Sequence, residues 1–229
     1  MPFDDLPEFE PGKQYLCGRY GGNNILEKTG VPNWRQEWRK LFWELFRPSD
    51  LVQDAIDHIE MPERYAVVNA RFVNSLGQSE ATSYNSPLPD AEQERLIDAV
   101  LETASKCERD SDVPVVVYSD SVRFLQAAAE SGFSICDPTG VGNVINRGLG
   151  EHVRLMLFVN MFLIAQAERV YAIRSVDGFP TNCLYQSGYA RYSAIIGGRP
   201  FIKVAGDLKM LEGTLTRAPF ASPTDAVTS

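Results

Sequence analysis

Residues 64–80 read RYAVVNARFVNSLGQSE, and they give the clearest indication of the fold class. The apolar run from Tyr65 to Val68 is typical of a strand that is buried on both faces. It ends in Arg71, and a polar loop that contains Gly77 follows. Strands buried on both faces belong to parallel sheets covered by helices. The sequence therefore predicts an α/β fold in which this strand brings an arginine to one edge of a sheet.

Strands and helices alternate along the rest of the chain. Apolar runs predict further strands within residues 113–120, 133–137, 169–175 and 199–204, and helical spacing predicts helices within 90–107, 121–132, 151–167 and 182–198. This order predicts a Rossmann-like parallel sheet with helices on both faces. We expect a loop and helical segment at 1–60, a nucleotide-binding domain at 61–213 and a disordered tail at 214–229.

The helical segment before the sheet carries an aromatic stripe. A helix is predicted to begin after Asn33 and to place six apolar side chains on one face: Trp34, Trp38, Leu41, Phe42, Leu45 and Phe46. Ser49 or Asp50 is predicted to cap a second helix that runs to Ile59. We interpret the stripe as core packing, and the alternative is a docking face for a missing or partner domain.

The composition excludes several classes of function. A net charge of −8 argues against a bulk electrostatic grip on DNA or RNA. Four scattered cysteines and two histidines show no metal-ligand spacing, and they predict reduced thiols in a cytoplasmic protein. No leader sequence is expected, and the most apolar stretch, residues 153–167, is too short for a transmembrane helix.

Ligands of parallel sheets bind beyond the carboxyl ends of the strands, where Arg71 is predicted to lie. A guanidinium there can bind two phosphate oxygens at once, and the loop with Asn74, Ser75 and Gly77 can offer backbone N–H groups to an anion. The alternative is that Arg71 forms a structural salt bridge at the sheet edge.

Other polar residues are expected at the same edge. Ser119 and Asp120 end a strand and are candidates for contact with a base or ribose, or alternatively for capping the next helix. Asp137 can accept hydrogen bonds from a guanine or a ribose, although a residue that starts a turn is the favoured interpretation. Ser187 and Gly188 begin a helix and form a candidate phosphate site, or alternatively a close helix contact. No catalytic base is evident, because His152 has no base partner nearby in the sequence.

As a set, these residues resemble bacterial glycosyltransferases of the fucosyltransferase-like kind, which are associated with surface polysaccharides. The resemblance covers roughly residues 40–205 and is carried, in order, by LFWELFRPSDLVQDAID (41–57), YAVVNARFVNSLGQSE (65–80), VVVYSDS (115–121), FVNMFLIAQAERVYAI (158–173) and LYQSGYARYSAIIGGRPF (184–201). It implies the donor-binding half of the GT-B architecture, in which two Rossmann-like domains hold the substrates. Residues 1–60 would then be the end of the acceptor half.

The resemblance also implies roles for individual residues. Arg71 and Ser187 match the arginine and the serine that contact the donor diphosphate, and Ser119 with Asp120 match a strand end near the nucleoside. Two positions depart from the family pattern. Asn160 stands where relatives often carry an aspartate, and Asn69 stands where a histidine is usual.

We therefore expect a metal-independent transferase without a cofactor. Its donor would be a nucleotide sugar, GDP-fucose by resemblance, and its acceptor a glycan hydroxyl. Arg71 and Ser187 would stabilise the charge that grows on the leaving diphosphate. The alternative is a non-catalytic nucleotide-binding or interaction domain that pairs with a partner chain supplying the acceptor half.

Overall fold

The computed structural model of the chain describes residues 33–77, 86–136, 151–211 and 217–219. The helices in these ranges are α1 (Trp34–Leu45), α2 (Asp50–Asp57), α3 (Asp90–Ser111), α4 (Val122–Glu130), α5 (Glu151–Gln166) and α6 (Gly188–Gly197). The strands are β1 (Ala66–Ala70), β2 (Val115–Ser119), β3 (Ser134–Ile135), β4 (Val170–Ser175), β5 (Phe201–Ala205), β6 (Leu208–Leu211) and β7 (Arg217–Pro219).

The strands form one sheet in the order β3-β2-β1-β4-β5-β6-β7. The first five strands in this order pair in parallel, and β6 and β7 add antiparallel pairs at one edge. The predicted α/β class is therefore confirmed, but the sheet is mixed and not wholly parallel. The antiparallel pair β5–β6 was not predicted, and β7 lies inside the tail for which no regular structure was expected.

The sheet has a topological switch point between β1 and β4. From β1 the chain proceeds outward through β2 and β3, and it then returns to form β4 on the other side of β1. Val67 at the centre of β1 has Val116 of β2 and Val170 of β4 as its two neighbours. Open α/β sheets bind ligands outside the carboxyl ends of their strands at such a switch point.

Helices cover both faces of the sheet, as predicted. Ala66, Val68 and Ala70 of β1 face one apolar cluster, which contains side chains of α3 and α4. The intervening Val67 belongs to the opposite cluster, which contains side chains of α5 and α6. Side chains alternate between the faces of a strand, so Asn69 shares the α5–α6 face with Val67.

Helices α1 and α2 pack on the outside of the helical layer that α5 and α6 form. The Trp43 indole Nε1 of α1 donates to the backbone oxygen of Ile196 in α6 at 2.9 Å, and α2 packs against α5. Yet no residue of α1 is buried, and Leu45 and Phe46 are 65% and 56% exposed. The interpretation of the aromatic stripe as core packing is therefore wrong for Leu45 and Phe46, because α1 packs against α6 along one side only.

Helix α2 begins as predicted, with the Ser49 hydroxyl accepting from the backbone N–H of Val52 at 3.4 Å. It ends at Asp57, two residues before the predicted end. No helix among the described residues is both long and apolar enough to cross a membrane.

Helices α5 and α6 touch at backbone level near Gly197. A Cβ atom at Gly197 would lie 2.0 Å from the backbone oxygen of Ala165 and 2.7 Å from its carbonyl carbon. Only a residue without a side chain permits this approach. The contact brings the last turn of α6 onto the end of α5.

Candidate functional site

Arg71 directly follows β1, at the switch point between β1 and β4. Its backbone oxygen accepts a hydrogen bond from the N–H of Tyr185 at 2.8 Å. This bond ties the segment before α6 to the end of β1, and Ser187 lies only two residues further along. Arg71 and Ser187 are therefore on the same edge of the sheet, as the sequence predicted.

The Asp120 carboxylate joins the end of β2 to the residues that follow β1. Its two oxygens accept from the backbone N–H groups of Phe72 at 2.8 Å and Val73 at 3.0 Å. Its Oδ2 is also 3.8 Å from the Arg71 Nε, a distance that permits charge attraction but is too long for a hydrogen bond. The sequence-based alternative of a salt bridge for Arg71 is thus present in this looser form.

Burial raises the pKa of the Asp120 carboxyl above its ordinary value, and the two N–H groups and the Arg71 guanidinium oppose this rise. The neighbouring Val73 has a φ of 55°, a left-handed conformation that is rare for a β-branched residue. Strain of this kind persists where the surroundings impose it. The hydrogen bond from the Val73 N–H to Asp120 is compatible with this conformation and holds the residue in place.

The loop after Arg71 uses its backbone groups internally. The N–H of Ser75 donates to the oxygen of Phe72 at 3.0 Å, and that of Gly77 donates to the oxygen of Asn74 at 2.9 Å. The Ser75 hydroxyl donates to the oxygen of Cys183 at 2.8 Å. With the N–H groups of Phe72 and Val73 bound to Asp120, the loop fixes the shape of the edge. The N–H groups of Ser75 and Gly77 are engaged within the loop and are not presented to a ligand, in contrast to the expectation for these two residues.

Two further candidate residues of this loop, Asn74 and Gly77, contribute to its structure. The side chain of Asn74 is buried. Gly77 has a φ of 70°, in the left-handed region that glycine adopts without cost. The hydrogen bond from the N–H of Gly77 to the oxygen of Asn74 closes a turn over residues 74–77.

The alternative prediction, that Ser119 or Asp120 caps the helix after β2, is wrong. Ser121, and not Ser119 or Asp120, caps α4, because its hydroxyl accepts from the backbone N–H of Phe124 at 3.1 Å. Ser119 is buried, and its hydroxyl accepts from the N–H of Ser121 at 3.2 Å. Asp120 is left to serve the loop after β1, a tertiary role that neither sequence interpretation included.

The first turn of α6 stands beside the same edge. The Ser187 hydroxyl caps the helix by accepting from the N–H of Ala190 at 3.2 Å. A Cβ at Gly188 would make only an ordinary contact, 3.6 Å from the ring of Tyr192, so close helix packing does not explain this glycine. The ring of Tyr189 stacks on that of Tyr118 at a centroid distance of 5.7 Å, which fixes α6 over the end of β2.

Asn69 is a residue that sequence reasoning did not include in the site. It lies in β1 between Tyr118 of β2 and Ala172 of β4, and it is only 2% exposed. Its Nδ2 donates to the backbone oxygen of Tyr118 at 3.3 Å, but its Oδ1 is buried without a hydrogen-bond partner in the described part of the chain. An asparagine inside the apolar run of a central strand was the available signal.

Several expectations concern other positions. Asp137 lies outside the described residues, and Asn160 is buried in α5. Cys107, Cys136 and Cys183 are buried, as the sequence predicted for core thiols. In the ranges that the structure describes, no three His, Cys, Asp or Glu side chains gather in a group that could hold a metal ion.

No protein-family model matches the sequence, and no curated protein matches it significantly. The function must therefore be argued from the residues at the switch point.

Proposed function

We propose that the chain binds a nucleotide sugar at the carboxyl edge of β1 and β4 and acts as the donor-binding part of a GT-B type glycosyltransferase. The observation that carries this proposal is the placement of Arg71. A guanidinium stands at the topological switch point, 33% exposed, and its buried Nε has no hydrogen-bond partner in the described ranges. A cation at such a switch point suits an anionic ligand.

The surroundings of Arg71 favour a diphosphate. Asp120 holds the backbone just after Arg71, so the side chain starts from a fixed position before any ligand arrives. The capped first turn of α6 lies at the same edge, and the N-terminus of a helix carries partial positive charge. Two positive elements at one edge match the two phosphate groups of a nucleotide sugar better than a single carboxylate.

The positions of Arg71 and the start of α6 also suggest how sugar transfer would be assisted. In glycosyl transfer, the bond between the anomeric carbon and the phosphate oxygen breaks while an acceptor hydroxyl oxygen bonds to that carbon. The acceptor proton leaves to a base, and negative charge grows on the departing diphosphate. Arg71 and the start of α6 would stabilise this charge because they are in place before the reaction begins. GDP-fucose is the donor that the sequence resemblance favours.

A ligand panel tests the proposal. We expect GDP and its sugars to raise the melting temperature, since a ligand that binds only the folded state stabilises it by mass action, by about 2.7 kcal/mol at 100 times Kd. Guanosine, which lacks the phosphates, should give little shift at the same concentration. UDP and ADP with their sugars test the choice of base. Equal shifts with guanosine and GDP, or no shift with any nucleotide, would contradict the proposal.

A second test concerns metal. If Arg71 and α6 stabilise the leaving diphosphate, sugar transfer to a glycan acceptor should survive treatment with a chelator. The rate of release of GDP from GDP-fucose, measured with and without chelator, provides the comparison. If the chelator abolishes GDP release and added manganese or magnesium restores it, the result would indicate a metal-dependent transferase.

The exposed apolar side chains of α1 favour a second candidate. They suit a domain that binds the nucleotide without turnover and pairs with a partner chain through α1. This candidate shares the expected nucleotide affinity but predicts no transfer to any acceptor by the chain alone. Measuring binding and transfer on the same preparation separates the two.

A further inference from the structure

Asn69 lies in β1 and Arg71 directly follows this strand, two residues further along the chain. Each has a buried polar atom without a hydrogen-bond partner in the described ranges. For Asn69 the atom is the acceptor Oδ1, and for Arg71 it is the donor Nε. Side chains two residues apart along a strand project from the same face, roughly 6.6 Å from each other. Ala70 and Phe72 both face the α3–α4 cluster, so the unpaired acceptor of Asn69 and the unpaired donor of Arg71 are expected on the same, α5–α6, side of the sheet.

The orientation of the Asn69 amide is determined by its neighbours. Nδ2 donates to the backbone oxygen of Tyr118, so a flipped amide would bring two oxygens together. The unpaired atom is consequently the oxygen. A buried acceptor without a partner destabilises a folded protein, and in a central strand a valine would avoid this cost. Such a feature calls for an explanation in terms of function or bound water.

We infer that Asn69 is a ligand-binding residue, whose Oδ1 accepts a hydrogen bond from a hydroxyl group of the nucleotide sugar. This inference rests on the proposed function. A hydroxyl both donates and accepts, so one hydroxyl can donate to Asn69 and accept from the Arg71 Nε. A phosphate oxygen only accepts, and a base N–H group only donates. Neither group satisfies both atoms.

The depth of Asn69 agrees with this assignment. Arg71 is at the edge of the sheet and Asn69 lies one pleat further in, beside the stacked rings of Tyr118 and Tyr189. A ligand whose diphosphate meets Arg71 would place an adjoining sugar ring next to the guanidinium. The hydroxyl can belong to the ribose on one side of the diphosphate or to the transferred sugar on the other.

Asn69→Val and deoxygenated ligands together test the inference. Affinities of the unmodified chain and of Asn69→Val are measured by calorimetry for GDP, 2′-deoxy-GDP, 3′-deoxy-GDP, GDP-fucose and its deoxyfucose analogues. In the unmodified chain, removal of one hydroxyl should weaken binding about ten-fold. Asn69→Val should bind the ligand that retains all its hydroxyl groups about ten-fold more weakly than the unmodified chain does. Removal of the same hydroxyl should cause no further loss of affinity in this variant. The analogue that shows this pattern identifies the ribose or the transferred sugar.

The melting temperature of the free protein separates this role from a structural one. Asn69→Val should melt at the same temperature as the unmodified chain or higher, because it removes an unpaired buried acceptor and adds a strand-forming residue. Asn69→Ala is the second variant, for the case that valine does not fit. Thr103→Val is the matched control, since Thr103 is a buried polar residue on α3, on the other face of the sheet. It should leave every ligand affinity unchanged.

The outcomes distinguish the inference from the proposed function. If each deoxygenation reduces the affinity by the same factor in Asn69→Val as in the unmodified chain, Asn69 does not bind a hydroxyl. In that case the inference is overturned. The same holds if no deoxygenation weakens binding to the unmodified chain. If the unmodified chain binds no nucleotide at all, the proposed function fails, and the inference fails with it.

Discussion

GDP is expected to bind Arg71→Ala at least about a hundred-fold more weakly than the unmodified chain. Charge-assisted hydrogen bonds contribute roughly 1.5–3 kcal/mol each, and a guanidinium that grips a diphosphate makes two of them. Arg71→Lys keeps the charge but loses the planar fork, so we expect a loss of about ten-fold for this variant. Calorimetric titration of the three proteins with GDP measures both effects.

Arg64→Ala is the matched control for Arg71→Ala. Arg64 lies before the opposite end of β1, where its exposed side chain pairs with Glu168, and its removal changes the net charge by the same amount. Its GDP affinity should equal that of the unmodified chain. Unchanged affinity in a well-folded Arg71→Ala protein would remove the main support for the donor site.

Arg71→Ala should also alter how stability depends on pH. The folded-state pKa of Asp120 lies above its unfolded value, so the contribution of this group is fully present below the unfolded pKa and is lost as the pH rises through the folded pKa. Without the guanidinium the folded-state pKa rises further, because one of the groups that opposes the rise is gone. The variant should therefore match the unmodified chain in acid and be less stable near neutrality.

Gly197→Ala is expected to destabilise the fold by about 3 kcal/mol or more. The new methyl group would overlap the backbone of Ala165, and backbone atoms of two packed helices cannot rotate away as a side chain can. A loss of this size lowers the melting temperature of a chain of this length by roughly 6–12 °C. Thermal and denaturant unfolding measure it.

Gly188→Ala provides the comparison within the same helix. A Cβ at Gly188 meets only the ring of Tyr192 at an ordinary distance, and alanine favours a helix over glycine. Its stability should equal or slightly exceed that of the unmodified chain. Equal stability of the Gly197 and Gly188 variants would show that α5 and α6 can separate without cost.

The α/β class, and the position of Arg71 at the edge of the sheet, could be predicted from residues 64–80, because a strand buried on both faces leaves a continuous apolar run. The N-cap role of Ser187 was within reach for a similar reason, since capping depends on the next three residues only. The strands β6 and β7 were not predicted. The short run from Leu208 contains charged residues, and it becomes a strand because β5 offers an edge to pair with.

The roles of Asp120 and Asn69 could not be read from the sequence. Asp120 binds backbone groups at residues 72 and 73, far away in the chain, whereas local sequence suggested only a helix cap. Asn69 was noticed only as a departure from a family pattern. That its oxygen is unpaired depends on what surrounds it in three dimensions. The exposure of Leu45 and Phe46 is likewise a property of how α1 lies on α6, because a helical stripe does not reveal how much of it a neighbour covers.

The strand order also has a consequence for the time course of folding. β1 and β4 flank the switch point, yet their paired residues, such as Val67 and Val170, are about one hundred positions apart in the chain. Contacts between distant segments form slowly, because a long loop must close before any pairing energy is gained. The hairpin of β5 and β6 and the unit of β1, α3 and β2 close over much shorter distances. During refolding, the capacity to bind a nucleotide should therefore return with the slowest kinetic phase, after most secondary structure has formed.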